Sequence, residues 1–130
     1  MIYVDTSIAL AHLLVEDRRP PAAIWGAPLV ASRLIEYEIW TRINAKGLAQ
    51  THGEAAAEIV SRIALVEMSP SVLARALESF PLPVRTLDAL HLATCEFLRG
   101  RRLHVELATY DRRMVAAARA IGISLFDLGT

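Results

Sequence analysis

The sequence predicts an α/β fold, a three-layer α/β/α sandwich around a parallel five-stranded sheet. Three observations predict it. Short apolar runs read as strands at Ile2–Val4, Leu29–Ala31, Leu65–Met68, Val105–Thr109 and Ser124–Phe126. Helical stretches bounded by caps and stops lie between them, and right-handed crossovers then make the sheet parallel. The 130 residues, 54% of them hydrophobic, fit a single domain over positions 1–130 with one core.

Each element has its local reason. Ile2-Tyr3-Val4 is a short buried strand, and Asp5-Thr6-Ser7 breaks it and offers caps for a helix through about Asp17. Arg18-Arg19-Pro20-Pro21 stops that helix, and proline in a first turn starts a short one through Trp25. After the second strand, Ser32 reads as the N-cap of a helix through about Lys46, stopped by Gly47. Thr51 or His52 begins a helix to about Ala64. Beyond the third strand, Ser69-Pro70 opens a helix to about Ser79, and Phe80–Pro83 is a loop. Thr86 caps a long helix from Leu87 to about Leu98, ending at Gly100. The last helix runs from Asp111 to about Ala120, and Gly122 ends it.

Composition narrows the class. No segment reaches the ~18 uncharged apolar residues of a membrane span. Met1–Val4 runs straight into Asp5 with no basic n-region, so no signal peptide is expected. The single cysteine, Cys95, excludes an intramolecular disulfide and a cysteine-based zinc site, and favours a reducing, cytoplasmic setting. It reads as a buried small residue. Formal net charge is +0, so any basic surface for nucleic acid is local: Arg99, Arg101 and Arg102 in one run, Arg112 and Arg113 in another. Mean hydropathy of +0.36 asks for an outlet, which an oligomer or partner interface provides.

Four acidic residues punctuate the pattern: Asp5, Glu38, Asp88 and Asp111. Asp5 and Asp111 fall at strand ends, where ligands of parallel sheets bind. Carboxylates brought together repel one another and need a cation. The chemistry they suit is Mg²⁺- or Mn²⁺-assisted attack on a phosphodiester. Simpler roles stand beside this one. Asp5 is a good helix cap, Asp88 sits where a helix dipole favours negative charge, and Glu38 has Arg42 four positions on. Glu36 competes with Glu38, but the two lie roughly 200° apart on a helix and cannot share a face. Glu38 falls on an apolar arc between Leu34 and Ile35, where an unpaired carboxylate is costly. His91 and Cys95 share the face of Asp88, and His91 reads as a packed core histidine before a substrate contact.

The segments Tyr3–Ser7, Ser32–Glu38, Thr86–Ala93 and Thr109–Asp111, with Gly122-Ile123 behind them, together resemble the PIN-domain ribonucleases, most closely the VapC-type toxins of bacterial toxin–antitoxin pairs. The resemblance covers nearly the whole chain in order and spacing. It implies a PIN-like sandwich and an endoribonuclease in which Asp5, Glu38, Asp88 and Asp111 are catalytic and metal ligands, with Mg²⁺ or Mn²⁺ as cofactor. It favours Glu38 over Glu36, and it implies supporting roles for Thr6, Ser7 and Thr109. It also implies a VapB-like antitoxin, an RNA substrate and a homodimer. Leu13, Leu14, Ile24, Trp25 and Trp40 crowd the first third of the chain and are the expected antitoxin-facing surface. Where the family sometimes doubles its last acidic residue, this chain has Arg112-Arg113. Three rivals stand: a catalytically silent PIN-like interaction module, a DNA-directed nuclease of the same broad fold, and a receiver-type phosphoacceptor. The last wants a lysine after a late strand, and the only lysine is Lys46, on a helix.

Overall fold

The computed structural model describes residues 1–15 and 18–129. Five strands, β1 (Ile2–Val4), β2 (Leu29–Ser32), β3 (Ile63–Val66), β4 (Glu106–Ala108) and β5 (Ser124–Leu125), form one sheet in the order β3-β2-β1-β4-β5. Every pairing is parallel. The α-helices are α1 (Thr6–Leu13), α2 (Leu34–Ala45), α3 (Ala49–Ser61), α4 (Pro70–Ala76), α5 (Thr86–Gly100) and α6 (Arg112–Ala120), with a 3₁₀ turn at Ala22–Gly26.

The central strands β1 and β2 are buried along their whole length, which is why they read as continuous apolar runs. The edges are blunted differently. β3 buries only Ile63, and β5 is two residues long. α1, α2 and α3 contact one another, and α4 packs on α5. The chain crosses from β1 towards β3, then returns past β1 to β4. Right-handed connections in those opposite directions put the two helix groups on opposite faces.

The register positions the site. Ile2 aligns with Leu29 and with Glu106, and Val4 aligns with Ala108. Asp5 and Thr109 therefore emerge side by side, with the Asp5 N–H donating to the Ala108 carbonyl at 3.2 Å. The strand order turns back at β1, so these ends form the switch point where α/β sheets bind ligands.

Several expected boundaries move. The third strand lies two residues earlier than Leu65–Met68, because pairing Leu29 with Ile63 and Ser32 with Val66 fills the edge of β2. α3 accordingly ends at Ser61 instead of Ala64, and it begins at Ala49, directly after the Gly47 turn. α4 stops at Ala76, short of Ser79. α1 ends at Leu13, and the expected end at Asp17 lies outside the described residues. Thr86 is the first residue of α5 rather than its cap; Arg85 takes the cap position with no side-chain cap bond. Ser32 accepts from the Leu34 N–H at 3.1 Å but belongs to β2, leaving Arg33 at the cap.

The residues expected to face an antitoxin are less open than their crowding suggests, while Val15 and Tyr37 are exposed in the same third of the chain. Leu13 and Ile24 are in the core, and Leu14, Trp25 and Trp40 pack against it partly buried. Trp25 leans on His12 with ring centroids 4.8 Å apart. Trp40 lies over Gly53, where a Cβ would come within 3.2 Å of the indole. These side chains cover one another in part.

Candidate active site

Asp5 is both of the things its sequence context allows. It is the N-cap of α1, its Oδ1 accepting from the Ser7 N–H at 3.0 Å and the Ser7 hydroxyl at 2.5 Å. Its Oδ2 accepts from the Thr109 hydroxyl. Only 5% of the residue is exposed. Burial raises its pKa above the ordinary carboxylate value, against the pull of the Ser7 and Thr109 hydroxyls and of His91. Ser7 Oγ also accepts from the Tyr110 N–H at 2.9 Å, and Thr109 Oγ1 from the Asp111 N–H at 3.0 Å. These two hydroxyls tie the ends of β1 and β4 to the start of α6.

Glu38, one turn into α2, is held at one oxygen. Its Oε1 accepts from the Thr6 hydroxyl at 2.7 Å and contacts His91 Nε2 at 2.6 Å. The ion pair with Arg42 does not form among the described residues, although Arg42 lines the same cleft. Glu36 turns away to Arg33 at 3.4 Å and is 38% exposed, against 18% for Glu38.

His91 is the buried residue the sequence suggests, but it is also a link. The Ser32 N–H donates to the Tyr3 oxygen at 3.0 Å, and Tyr3 Oη lies 2.6 Å from His91 Nδ1. A tyrosine that already accepts from the backbone is free to donate its hydroxyl proton to Nδ1. That leaves the proton on Nε2 for Glu38. Both imidazole nitrogens are thus engaged, and Ser7 has no histidine base.

Asp88 lies in the first turn of α5, and Asp111 caps α6 by accepting from the Arg113 N–H at 2.9 Å. Between them is a residue that the motifs do not single out. Arg85 donates from Nε to Asp88 Oδ2 at 3.1 Å and from Nη2 to Asp111 Oδ2 at 2.9 Å. Its only sequence signal is its position just before the Thr86–Ala93 segment. Asp5, Glu38, Asp88 and Asp111 line one cleft of about 460 Å³, together with Thr6, Ser7, Arg42, Arg85 and His91. Among the described residues, no three histidine, cysteine, aspartate or glutamate side chains stand close enough to hold a metal ion as placed.

The two arginine runs part company. Arg112 and Arg113 begin α6, next to Asp111. Arg99, Arg101 and Arg102 lie at the far end of α5, roughly 16 Å along the helix axis from Asp88. There Arg99 donates to the Ile121 carbonyl at 3.0 Å, and Arg101 lies over Phe97. α5 thus separates this run from the carboxylates, while Arg112 and Arg113 lie beside them.

The sequence model of the PIN domain matches residues 2–120 of this chain. Ribonuclease VapC46 of Mycobacterium tuberculosis is 34% identical over 95% of both chains. This chain is a VapC-type PIN domain. Ribonuclease VapC35 of the same species is 28% identical over 99% of this chain and 98% of its own. Ribonuclease VapC47 is 26% identical over 94% and 93%. Membership of the PIN family removes the receiver-type rival, and the all-parallel five-stranded sheet agrees with it. Among the described residues no helix is long and apolar enough to cross a membrane.

Proposed function

We propose that the chain is a divalent-metal-dependent endoribonuclease and the toxin of a VapBC-type pair. The observation that carries this reading is the arrival of four carboxylates, from four separate elements, at one cleft beyond the strand ends. All four offer hard oxygen donors, a set that suits Mg²⁺ or Mn²⁺. The nearly buried Asp5 carboxylate has hydroxyl and amide donors but no cation partner among the described residues, as expected of a ligand awaiting one. The choice of RNA and of a VapB-like antitoxin draws on the names of the relatives, and the single buried Cys95 suits a cytoplasmic setting.

A divalent cation held by Asp5 and Asp88, with Glu38 and Asp111 completing the set, would neutralise phosphate charge and acidify a nearby water. The chain's own groups do the rest. Ser7 and Thr109 fix the Asp5 carboxylate in one orientation. Thr6 and His91 pin Glu38 Oε1, which leaves Oε2 to accept a proton from the attacking water. Arg42 and the Arg112–Arg113 pair offer contacts for the RNA backbone.

The test uses end-labelled RNA and chelator-treated protein. Cleavage is expected with Mg²⁺ or Mn²⁺ and not in chelator, and Asp5→Asn or Asp88→Asn should abolish it. Metal-independent cleavage would sink the reading. A protein that binds its antitoxin yet never cuts RNA would favour the silent module.

A further inference from the structure

We propose that Arg85 is the cleft's resident counter-cation, holding Asp88 and Asp111 together until a divalent cation takes its place. The inference rests on the metal-dependent reading above. One guanidinium reaches Oδ2 of both carboxylates, from Nε to Asp88 and from Nη2 to Asp111. These carboxylates come from different helices, and Arg85 is the only cation bridging them among the described residues. The other oxygen of Asp111 is already committed to the Arg113 N–H. A divalent ion held by the same two carboxylates would compete with the guanidinium for their Oδ2 atoms. Two cations sharing the same small acceptors repel, so one leaves.

The bridge can act on metal affinity in two opposite directions. If Arg85 aligned the ligands in advance, its removal would weaken binding. For Asp111 the local structure argues against this, because its own cap bond orients it without Arg85, while Asp88 has Arg85 as its side-chain partner. Two cations drawn to the same carboxylates repel, which makes competition the larger effect. Its cost is limited, because the Arg85 side chain is 63% exposed and returns to water on release. Exposed ion pairs are weak, so two of them hold back metal by roughly two- to thirtyfold.

The experiment is Mn²⁺ titration of metal-free wild type, Arg85→Gln and Arg85→Lys, with free Mn²⁺ counted by electron paramagnetic resonance. Arg85→Gln is expected to bind Mn²⁺ roughly two- to thirtyfold tighter than wild type. Arg85→Lys, which keeps a charge but not the fork, should fall between them. The wild-type protein supplies an independent arm. Its Arg85 Nε–H resonance in ¹⁵N NMR should move towards the solvated position as diamagnetic Mg²⁺ saturates the site. That arm decides the matter if Arg85→Gln does not fold. Equal or weaker Mn²⁺ binding by Arg85→Gln, or an Nε–H signal indifferent to Mg²⁺, overturns the exchange while leaving the nuclease reading intact. A wild type that binds no Mn²⁺ and cuts no RNA instead overturns the reading on which both stand.

Discussion

Asp5 is a nearly dry carboxylate facing only neutral donors, and its pKa is raised by that burial. The sign of its effect on stability follows. A group with a higher pKa folded than unfolded binds its proton more tightly in the folded state. Ionised Asp5 therefore costs stability at neutral pH, and the cost disappears as pH falls through the raised value towards 3.8. Metal-free Asp5→Asn is expected to melt above wild type at pH 7, because the Ser7 and Thr109 hydroxyls can rotate to meet the amide. Calorimetry across pH should show the gap closing in acid, and a gap independent of pH would refute the assignment. Glu38 gives a sharper test of register. Glu38→Gln should abolish RNA cleavage and Glu36→Gln should leave it near wild type, since Glu36 is engaged with Arg33 outside the cleft. Tyr3 supports Glu38 at one remove. Tyr3→Phe deprives the buried Ser32 N–H and His91 Nδ1 of their partner, which should cost about 1–3 kcal/mol in urea unfolding.

At the scale of elements, α5 sets how far each arginine run lies from the carboxylates. Its first turn carries Asp88, and Arg99 at its last turn leads into Arg101 and Arg102 just beyond it, so a run that is close to the motif in sequence is distant in space. Arg112→Ala with Arg113→Ala should weaken RNA binding and flatten its salt dependence by roughly 0.7 in log–log slope for each phosphate no longer neutralised. Arg99→Ala with Arg101→Ala should leave both unchanged. Equal losses from the two pairs would place RNA across both ends of the helix and contradict the geometry. What the sequence made legible here were elements with local causes. β1 ends where Asp5 caps α1, Gly47 and Gly122 stop helices at φ of 68° and 74°, and Pro70 opens α4. What escaped were elements set by distant pairing. β3 takes its register from β2, which pairs Leu29 with Ile63, and the Arg85 bridge joins α5 to α6 across a strand. Asp5, Glu38, Asp88 and Asp111 were legible as a set through their order in the motifs; the His91–Tyr3–Ser32 chain behind Glu38 was not, because it links three elements that only the fold brings together.

For the whole molecule, exposed apolar surface lies both in the first third of the chain, at Val15 and Tyr37, and on α4 with the loop after it. The early tryptophans and α1 are covered internally, whereas Leu73, Leu77 and Leu82 are exposed along α4 and the loop after it, Leu77 by 90%. With Phe80, Pro83 and Leu90 they border an apolar groove of about 580 Å³ against α5. A leucine left that open costs solubility unless something covers it. The prediction is a homodimer paired through this face, and a stable one needs roughly 800 Å² from each subunit. The face borders the cleft, because Thr86 lines both the groove and the carboxylate site. Pairing there would set two cleavage sites near each other on one RNA. Light scattering of the chain alone should give the mass of two copies, and Leu77→Glu should halve it while the melting temperature of the fold stays close to wild type, since Leu77 contributes little to the core. Dissociation by Leu14→Glu but not by Leu77→Glu would return the interface to the first helix. A wild type that stays monomeric at high concentration would leave the groove without a second copy.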